Sequence, residues 1–461
     1  MRDHSKHIQL SRDEAIAEML DRLRTGAFAE VEPASCERVA LGDSFGRVLA
    51  EDIYAKTDIP NVLTCCMDSV ALHWDDFADL DEGEIPDTSA WVRGVDWQFA
   101  NTGIAMPQGF DTAIVIEHVE VSDDEQHIKI LAAPSERYAG TRQPGAKAKR
   151  GDLCLPAGLV IDADYAATIS SSGYSSVLVV KKPRVSFLPT GNELVPANLP
   201  FSETHPDFYA GYGHVFESNS ILTRGLVENW GGTYSLFDIV PDEYKTIKAT
   251  LLEAVATSDI VVLNAGSSKG SDDWSVEVLD EIGEMVYHQV SHGPGHHSFA
   301  AIVEGTPVIG ISGPPGGAFQ TLGFYLYPVM CAWFGLDTSL KTVTARLKGD
   351  FGPNKFAKKA QEKKLSGEQR PPEATKSGST FQSIRNVILE DVDGVLEATP
   401  LPGHGGGKVP GYRGVYMLGS GPDDVPPKEG DMIEVEIRPQ DYDLAAYFKI
   451  NGYKIKGRES V

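Results

Sequence analysis

Four short segments hold residue types that could bind or move charge. The first is Asn264-Ala265-Gly266-Ser267-Ser268-Lys269-Gly270-Ser271-Asp272-Asp273-Trp274, which leaves an apolar run and enters a helical pattern. Glycines let backbone N–H groups approach a phosphate, Ser267 and Ser268 add hydroxyls, Lys269 adds a full positive charge, and a helix start favours an anion. No Gly-Lys-Ser/Thr closes the segment, so it is not a Walker loop. Asp272 and Asp273 oppose a bare anion and fit either a cation-bridged phosphate or a plain helix cap. The second segment is Pro189-Thr190-Gly191-Asn192-Glu193-Leu194, where Glu193 just beyond a strand could hold a metal ion or a proton; a common Gly-Asn turn reads the same way. The third, Ser312-Gly313-Pro314-Pro315-Gly316-Gly317, is a rigid turn. The fourth, His292-Gly293-Pro294-Gly295-His296-His297 with His288 upstream, suits an anion better than a metal, because no acidic or thiol ligand sits among the histidines.

Alternating strands and helices must position these segments. From Pro183 onward the pattern predicts strands over 184–188, 233–239, 259–264 and 306–311, with helices over 219–230, 242–257, 274–282 and 317–329. That rhythm implies a parallel sheet covered by helices, and ligands of such sheets bind at the carboxyl ends of the strands, where the first three segments fall. Upstream, Ser11-Arg12-Asp13-Glu14 is a capping box before Ala15, Ile16, Met19, Leu20 and Leu23, an amphipathic helix. A further helix is expected over 162–172. Between Asp58 and about Gly145, short apolar runs such as 112–119 and 127–132 alternate with turn-rich stretches and predict a β insertion. Beyond Asp337, the basic run Lys355, Lys358, Lys359, Lys363, Lys364 and Arg370 reads as a mobile loop, and the remainder reads as a β domain.

The 461 residues, at about 150 per domain, allow about three domains, and 41% apolar with 23% charged residues excludes disorder of the whole chain. A net charge of −25 disfavours a nucleic-acid partner. No run approaches the ~18 apolar residues of a spanning helix and no apolar signal core opens the chain, so a soluble cytoplasmic protein without a membrane partner is expected. Five cysteines (Cys36, Cys65, Cys66, Cys154, Cys331) form no Cys-x-x-Cys pair and are expected as reduced thiols.

Taken in order, Leu41 to Asp52, Met67-Asp68, Gly109 to Ala113, Leu155 to Gly158, Thr190 to Leu194, Asn264 to Asp273 and Gly310 to Pro315 resemble the molybdopterin molybdenumtransferase family, that of bacterial MoeA proteins and the gephyrin E domain. The resemblance implies a multidomain α/β plus β fold with four parts. These are a helical linker and dimerisation domain (8–57 and 145–182), an inserted β domain (58–144), a parallel-sheet molybdopterin-binding-like domain (183–335) and a C-terminal β-barrel domain (338–461). It also implies a homodimer, other molybdenum cofactor proteins as partners, Mg²⁺, and the insertion of molybdate or tungstate into adenylylated molybdopterin with release of AMP. Its catalytic and metal-holding set maps onto Glu193, Asp242 and Asp273, and its cofactor-binding set onto Gly266, Ser267, Ser268, Lys269, Gly270, Asp272, His296 and Pro315.

The chain departs from the family pattern at several of these places. Leu63 and Lys147 stand where the family has carboxylates, Gly293 to His297 replaces a Lys-Pro-Gly-Lys-Pro loop, and Ser312 to Pro315 replaces Pro-Gly-Asn-Pro. Neutral histidine attracts phosphate less than lysine does. The alternative is a catalytically degenerate paralogue that binds molybdopterin or serves as a scaffold.

Overall fold

Ser11 opens the first helix, α1 (Arg12–Thr25), by the expected capping box: its backbone N–H donates to Glu14 Oε2 at 2.8 Å, and the Glu14 N–H donates to Ser11 Oγ at 3.3 Å. The computed structural model describes residues 9–26, 35–196, 215–264, 274–352, 381–401, 412–420, 424–439 and 455–458. The chain forms two compact units, Ala34–Val180 and Met1–Pro33 with Lys181–Val461.

In the Ala34–Val180 unit, Cys36–Ala40 pairs antiparallel with Ser176–Val180, and Ile53–Tyr54 pairs with Leu153–Leu155. Helix α2 (Ala163–Ser171) is capped by Asp162, which accepts from the Tyr165 N–H at 2.8 Å. Leu49, Ile53, Ile161, Ile169, Val177 and Val179 form the core there. The β insertion is built as expected from short strands: Ser69–Leu72 lies between Trp97–Ala100 and Thr112–Val115, and Val119–Val121 pairs with Ile128–Ile130. Trp97 is fully buried at its centre.

The second unit holds a six-stranded sheet. Its strands are β1 (Arg184–Pro189), β2 (Thr233–Leu236), β3 (Ile260–Asn264), β4 (Glu284–His288), β5 (Phe299–Val303) and β6 (Thr306–Ile311), in the order β2-β1-β3-β6-β5-β4. Four neighbours run parallel, β2-β1-β3-β6, and β5 and β4 continue the edge antiparallel. β3 is buried along its whole length, as the Ile-Val-Val-Leu run demands of a strand covered on both faces. Helices α3 (Asn219–Asn229), α4 (Tyr244–Thr257) and α5 (Ser275–Ile282) connect the parallel strands, and α4 packs through Ile247, Leu251, Ala254 and Val255. The antiparallel β4–β5–β6 edge is not expected from the βαβ pattern. The β5–β6 pairing requires glycine at 310, since a Cβ there would come within 2.2 Å of the Phe299 ring on β5. The helix expected over 317–329 is a longer run, α6 (Pro315–Thr321), a wide π turn (Leu322–Leu326) and α7 (Tyr327–Trp333). Pro328 lacks the N–H that a regular turn would use there.

The C-terminal strands β7 (Leu340–Leu347), β8 (Gln382–Val392), β9 (Val395–Pro400), β10 (Tyr412–Gly419) and β11 (Met432–Ile437) close on themselves in the order β8-β9-β7-β11-β10-β8, a five-stranded barrel. Val343, Leu347, Val387, Leu389 and Val435 fill it. The basic run Lys355 to Arg370 lies outside the described residues. Helix α1 buries Ala15, Ile16, Met19, Leu20 and Leu23 within this second unit, where Ile16, Met19 and Leu20 line a small cavity with Tyr287, Ile309 and Val329. Its apolar face is therefore already covered inside the chain. Arg12 joins it to β11 through two bonds to the Glu436 carboxylate, at 2.5 and 2.7 Å.

Candidate functional site

The parallel register sets Pro189 of β1 beside Asn264 of β3, and Asn264 beside Ile311 of β6, so three loops leave the sheet side by side at its carboxyl end. The first loop is pinned at once: the Thr190 N–H and Oγ1 both donate to the Asn264 carbonyl, at 3.1 and 3.2 Å, and the Gly191 N–H donates to the Val240 carbonyl at 3.1 Å. Gly191 adopts φ 148°, and a Cβ on it would lie 2.7 Å from a Glu193 carboxylate oxygen. Glycine is needed there for Glu193 to fold its carboxylate back over the turn. Glu193 is exposed at this lip.

Asp242 reaches the same turn. Its Oδ2 accepts from the Asn192 N–H at 3.0 Å, while its own N–H donates to Asn192 Oδ1 at 3.2 Å. This reciprocal pair fastens the segment after β2 onto the loop after β1 and brings two of the three expected acidic residues, Glu193 and Asp242, to one turn. The third, Asp273, lies outside the described residues together with Gly266, Ser267, Ser268, Lys269, Gly270 and Asp272. Their segment joins the end of β3 at Asn264 to α5, whose first residue is Ser275.

Asn219, which in sequence is an ordinary helix start, organises the site. Asn219 is 3% exposed, and its Nδ2 donates to Asn264 Oδ1 at 2.9 Å and to the Gly313 carbonyl at 2.8 Å. It thus ties the end of β3 to the loop after β6. Its Oδ1 is buried without a hydrogen-bond partner among the described residues. Pro315 stands at the first position of α6, where its missing N–H costs nothing, and Pro314 accepts from the Gly317 and Ala318 N–H groups.

The histidine loop divides into inner and outer parts. His292 is fully buried, with Nε2 2.7 Å from the Tyr325 hydroxyl and Nδ1 3.1 Å from the Pro294 carbonyl. Burial first, and then the positive Arg12, push its pKa down to about 3. It is neutral at pH 7 and adds no charge for an anion. His296 holds Nδ1 2.5 Å from the Val290 carbonyl, which only accepts, so that nitrogen carries the proton. Because the folded state resists protonating His292, its contribution to stability is complete above pH ~6.5 and declines toward pH 3, by at most about 1.4 kcal/mol per pH unit. His292→Phe removes that slope and, by leaving the Tyr325 hydroxyl unpaired, lowers stability at pH 7 by about 1–3 kcal/mol. Denaturant titrations at pH 7.5 and pH 5 check this; an equal pH slope in both proteins contradicts it.

In the Ala34–Val180 unit, Leu63 packs half-buried against the cluster of Cys65, Ala71, Met106 and Phe110, and Lys147 is exposed with Arg142, Lys149 and Arg150. Leu63 is a packing residue where the family pattern has a carboxylate. Asp68 accepts from the Thr102 N–H at 2.9 Å and from its hydroxyl at 3.0 Å, and these bonds hold its pKa below the usual carboxylate value.

Among the described residues no three acidic, histidine or cysteine side chains gather into a metal-binding cluster. The donor set nevertheless suits Mg²⁺, which binds through one or two carboxylates and completes its shell with water and substrate phosphate. Glu193 and Asp242 supply that number.

Comparison with known proteins identifies the scaffold. Residues 10–173 match the MoeA N-terminal region (domain I and II), and residues 186–331 match the probable molybdopterin binding domain. The molybdopterin molybdenumtransferase of Staphylococcus aureus (strain COL) is 27% identical over 328 residues, 68% of this chain and 75% of that protein. The one from Staphylococcus epidermidis (strain ATCC 35984) is 25% identical over 327 residues, with the same shares covered. In three dimensions, a molybdopterin biosynthesis MoeA protein from Pyrococcus horikosii superposes with a TM-score of 0.68 at 22% identity, covering 93% of this chain and 99% of that one. Sheet, strand-end loops and closed barrel thus define a multidomain protein built around a molybdopterin-binding α/β domain. The chain belongs to the molybdopterin molybdenumtransferase family, as a divergent member, and its place is in molybdenum cofactor biosynthesis.

Proposed function

We propose that the protein inserts molybdate, or tungstate, into adenylylated molybdopterin and releases AMP. The observation that carries this reading is the reciprocal Asn192–Asp242 pair, which holds a carboxylate beside the Glu193 turn at the carboxyl end of the parallel strands. Mg²⁺, when bound, supplies positive charge that offsets the pyrophosphate and the leaving AMP; Glu193, Asp242 and Asp273 are the residues that would hold it. Asn192 keeps Asp242 oriented, and Asn219 keeps the Asn264 and Gly313 loops in register so that a phosphate is met from two sides. Ser267, Ser268 and Lys269 provide hydroxyls and charge for that phosphate, with Gly266 and Gly270 allowing close backbone approach. His296 and Pro315 line the loops that face the substrate. Incubation with adenylylated molybdopterin, molybdate and Mg²⁺ tests the proposal: AMP accumulates if it holds, and intact substrate after prolonged incubation refutes it.

A second reading has its own support, because Leu63 is committed to packing and Lys147 is a cation where carboxylates belong in the family pattern. A protein that binds molybdopterin without turnover, as a scaffold for other molybdenum cofactor proteins, follows if the substrate binds and no AMP forms. No helix among the described residues is long and apolar enough to cross a membrane, and a cytoplasmic location belongs to either reading.

The same reading includes a homodimer and the four-part division into 8–57 with 145–182, 58–144, 183–335 and 338–461. Since the α1 face is covered within the chain, the dimer contact falls on the exposed apolar side chains of the Ala34–Val180 unit, where Tyr54 and Leu153 are cross-strand neighbours, 45% and 53% exposed. Light scattering is expected to give twice the 49.9 kDa chain mass for the wild type and the single mass for a Tyr54→Glu/Leu153→Glu variant. A wild-type monomer at all concentrations contradicts the dimer.

A further inference from the structure

A cavity of about 680 Å³ opens between α3, β2 and the end of β1. That volume falls in the range of small-molecule sites, about 300–1,000 Å³. Pro189, Ile221 and Phe237 give it apolar walls, and Glu217, Tyr234 and Arg224 give it polar ones. Arg224 is engaged at the rim with Glu228, at 2.9 Å. Glu217 is 4% exposed, accepts only from the Ser220 N–H at 2.9 Å, and has no ion-pair partner among the described residues. The Tyr234 hydroxyl is buried and has no hydrogen-bond partner among the described residues. Burial first, and then the Glu217 charge, raise its pKa, so it stays protonated and able to donate.

A buried carboxylate without a cation is costly unless donors reach it. Glu217 therefore presents a carboxylate to the cavity that asks for N–H groups, with a phenol nearby and flat apolar walls. A 2-amino-4-oxopyrimidine ring fits that demand, since its amino and ring N–H groups point the same way and pair with the two oxygens of one carboxylate. Adenine offers one donor beside one acceptor on the corresponding edge and leaves a carboxylate oxygen unmatched. Pterins and guanine share the favoured ring. Resting on the substrate proposed above, we infer that this cavity holds the pterin ring of molybdopterin, with Glu217 accepting its paired N–H groups and Tyr234 bonding its polar edge. Pro189 forms one wall, and the next residue, Thr190, begins the turn that carries Glu193, so a ring seated here leaves its phosphate arm at the acidic lip.

Equilibrium titration with neopterin, guanosine and adenosine tests this on wild type, Glu217→Gln and Ile221→Trp. Gln keeps an acceptor for the Ser220 N–H, and Ile221 is 64% exposed, so the added indole enters the cavity without disturbing a core. The expected result is neopterin binding to wild type, weakened at least about tenfold in both variants, with guanosine weaker and adenosine without effect. No neopterin binding, equal neopterin affinity in all three proteins, or tighter guanosine than neopterin overturns the assignment. Failure of the pterin site is separable from failure of turnover. Variant-insensitive neopterin binding with normal AMP release overturns the cavity alone, and variant-sensitive binding without AMP release overturns the proposed reaction alone.

Discussion

Asp242→Ala is expected to lower AMP release from adenylylated molybdopterin on the order of 10²–10³-fold, the loss typical when one preorganised charge-positioning group is removed from an active site. The physical ground is its placement: Asp242 is bonded to Asn192 in both directions, and its carboxylate is therefore oriented before substrate arrives. Glu193→Ala is expected to act similarly, because Gly191 leaves the space into which the Glu193 carboxylate folds. Neither side chain fills a core, so stability should fall only by about the 0.5–1.5 kcal/mol of one lost hydrogen bond at Asp242 and by less at the exposed Glu193. Steady-state rates and melting curves for the two variants check this together. Unchanged turnover in both variants refutes the site; lost turnover with a collapsed fold refutes the argument that these residues act by charge.

The second large effect concerns stability. Arg12→Met is expected to destabilise the protein by about 3–5 kcal/mol, since it removes one charged partner of a buried, doubly bonded ion pair with Glu436. Burial of Arg12 opposes its charge, but the Glu436 and Asp13 carboxylates more than offset this and raise its pKa, and the guanidinium also lies 4.8 Å from the centre of the Phe324 ring. The double variant Arg12→Met/Glu436→Leu should recover much of the loss, because the buried carboxylate is removed together with the guanidinium that paired it. Denaturant unfolding of the four proteins in the cycle measures it. An additive pair of losses would show that the two residues do not depend on each other.

How far such features were legible beforehand depended on whether their causes were local. The strand Ile260–Asn264 was legible because four apolar residues in a row admit little else between helical segments, and the α1 cap because Ser11 and Glu14 are three residues apart. Arg12 was not: in sequence it is an ordinary polar residue in the first turn, and it is buried only because Glu436 arrives from 424 residues away. Asn219 was hidden for the same reason, as an asparagine at a helix start reads as a cap, whereas its amide joins partners 45 and 94 residues distant. The antiparallel edge was missed because it depends on Phe299 lying over Gly310, a contact that no periodicity encodes. At the site, the turn at Glu193 was legible from its place just beyond a strand, and Asp242 followed from the family resemblance, but the bond that couples them passes through Asn192, which spacing alone does not reveal. The histidine loop looked like an anion site in sequence, and burial makes its innermost member neutral instead.

The most direct measurement of the central claim follows AMP and molybdenum together when the purified protein is mixed with adenylylated molybdopterin, molybdate and Mg²⁺. The account predicts that AMP appears only with molybdate present and in the same amount as molybdenum becomes bound to the pterin. Substrate that binds and stays intact, or AMP released without any molybdenum on the pterin, would contradict it.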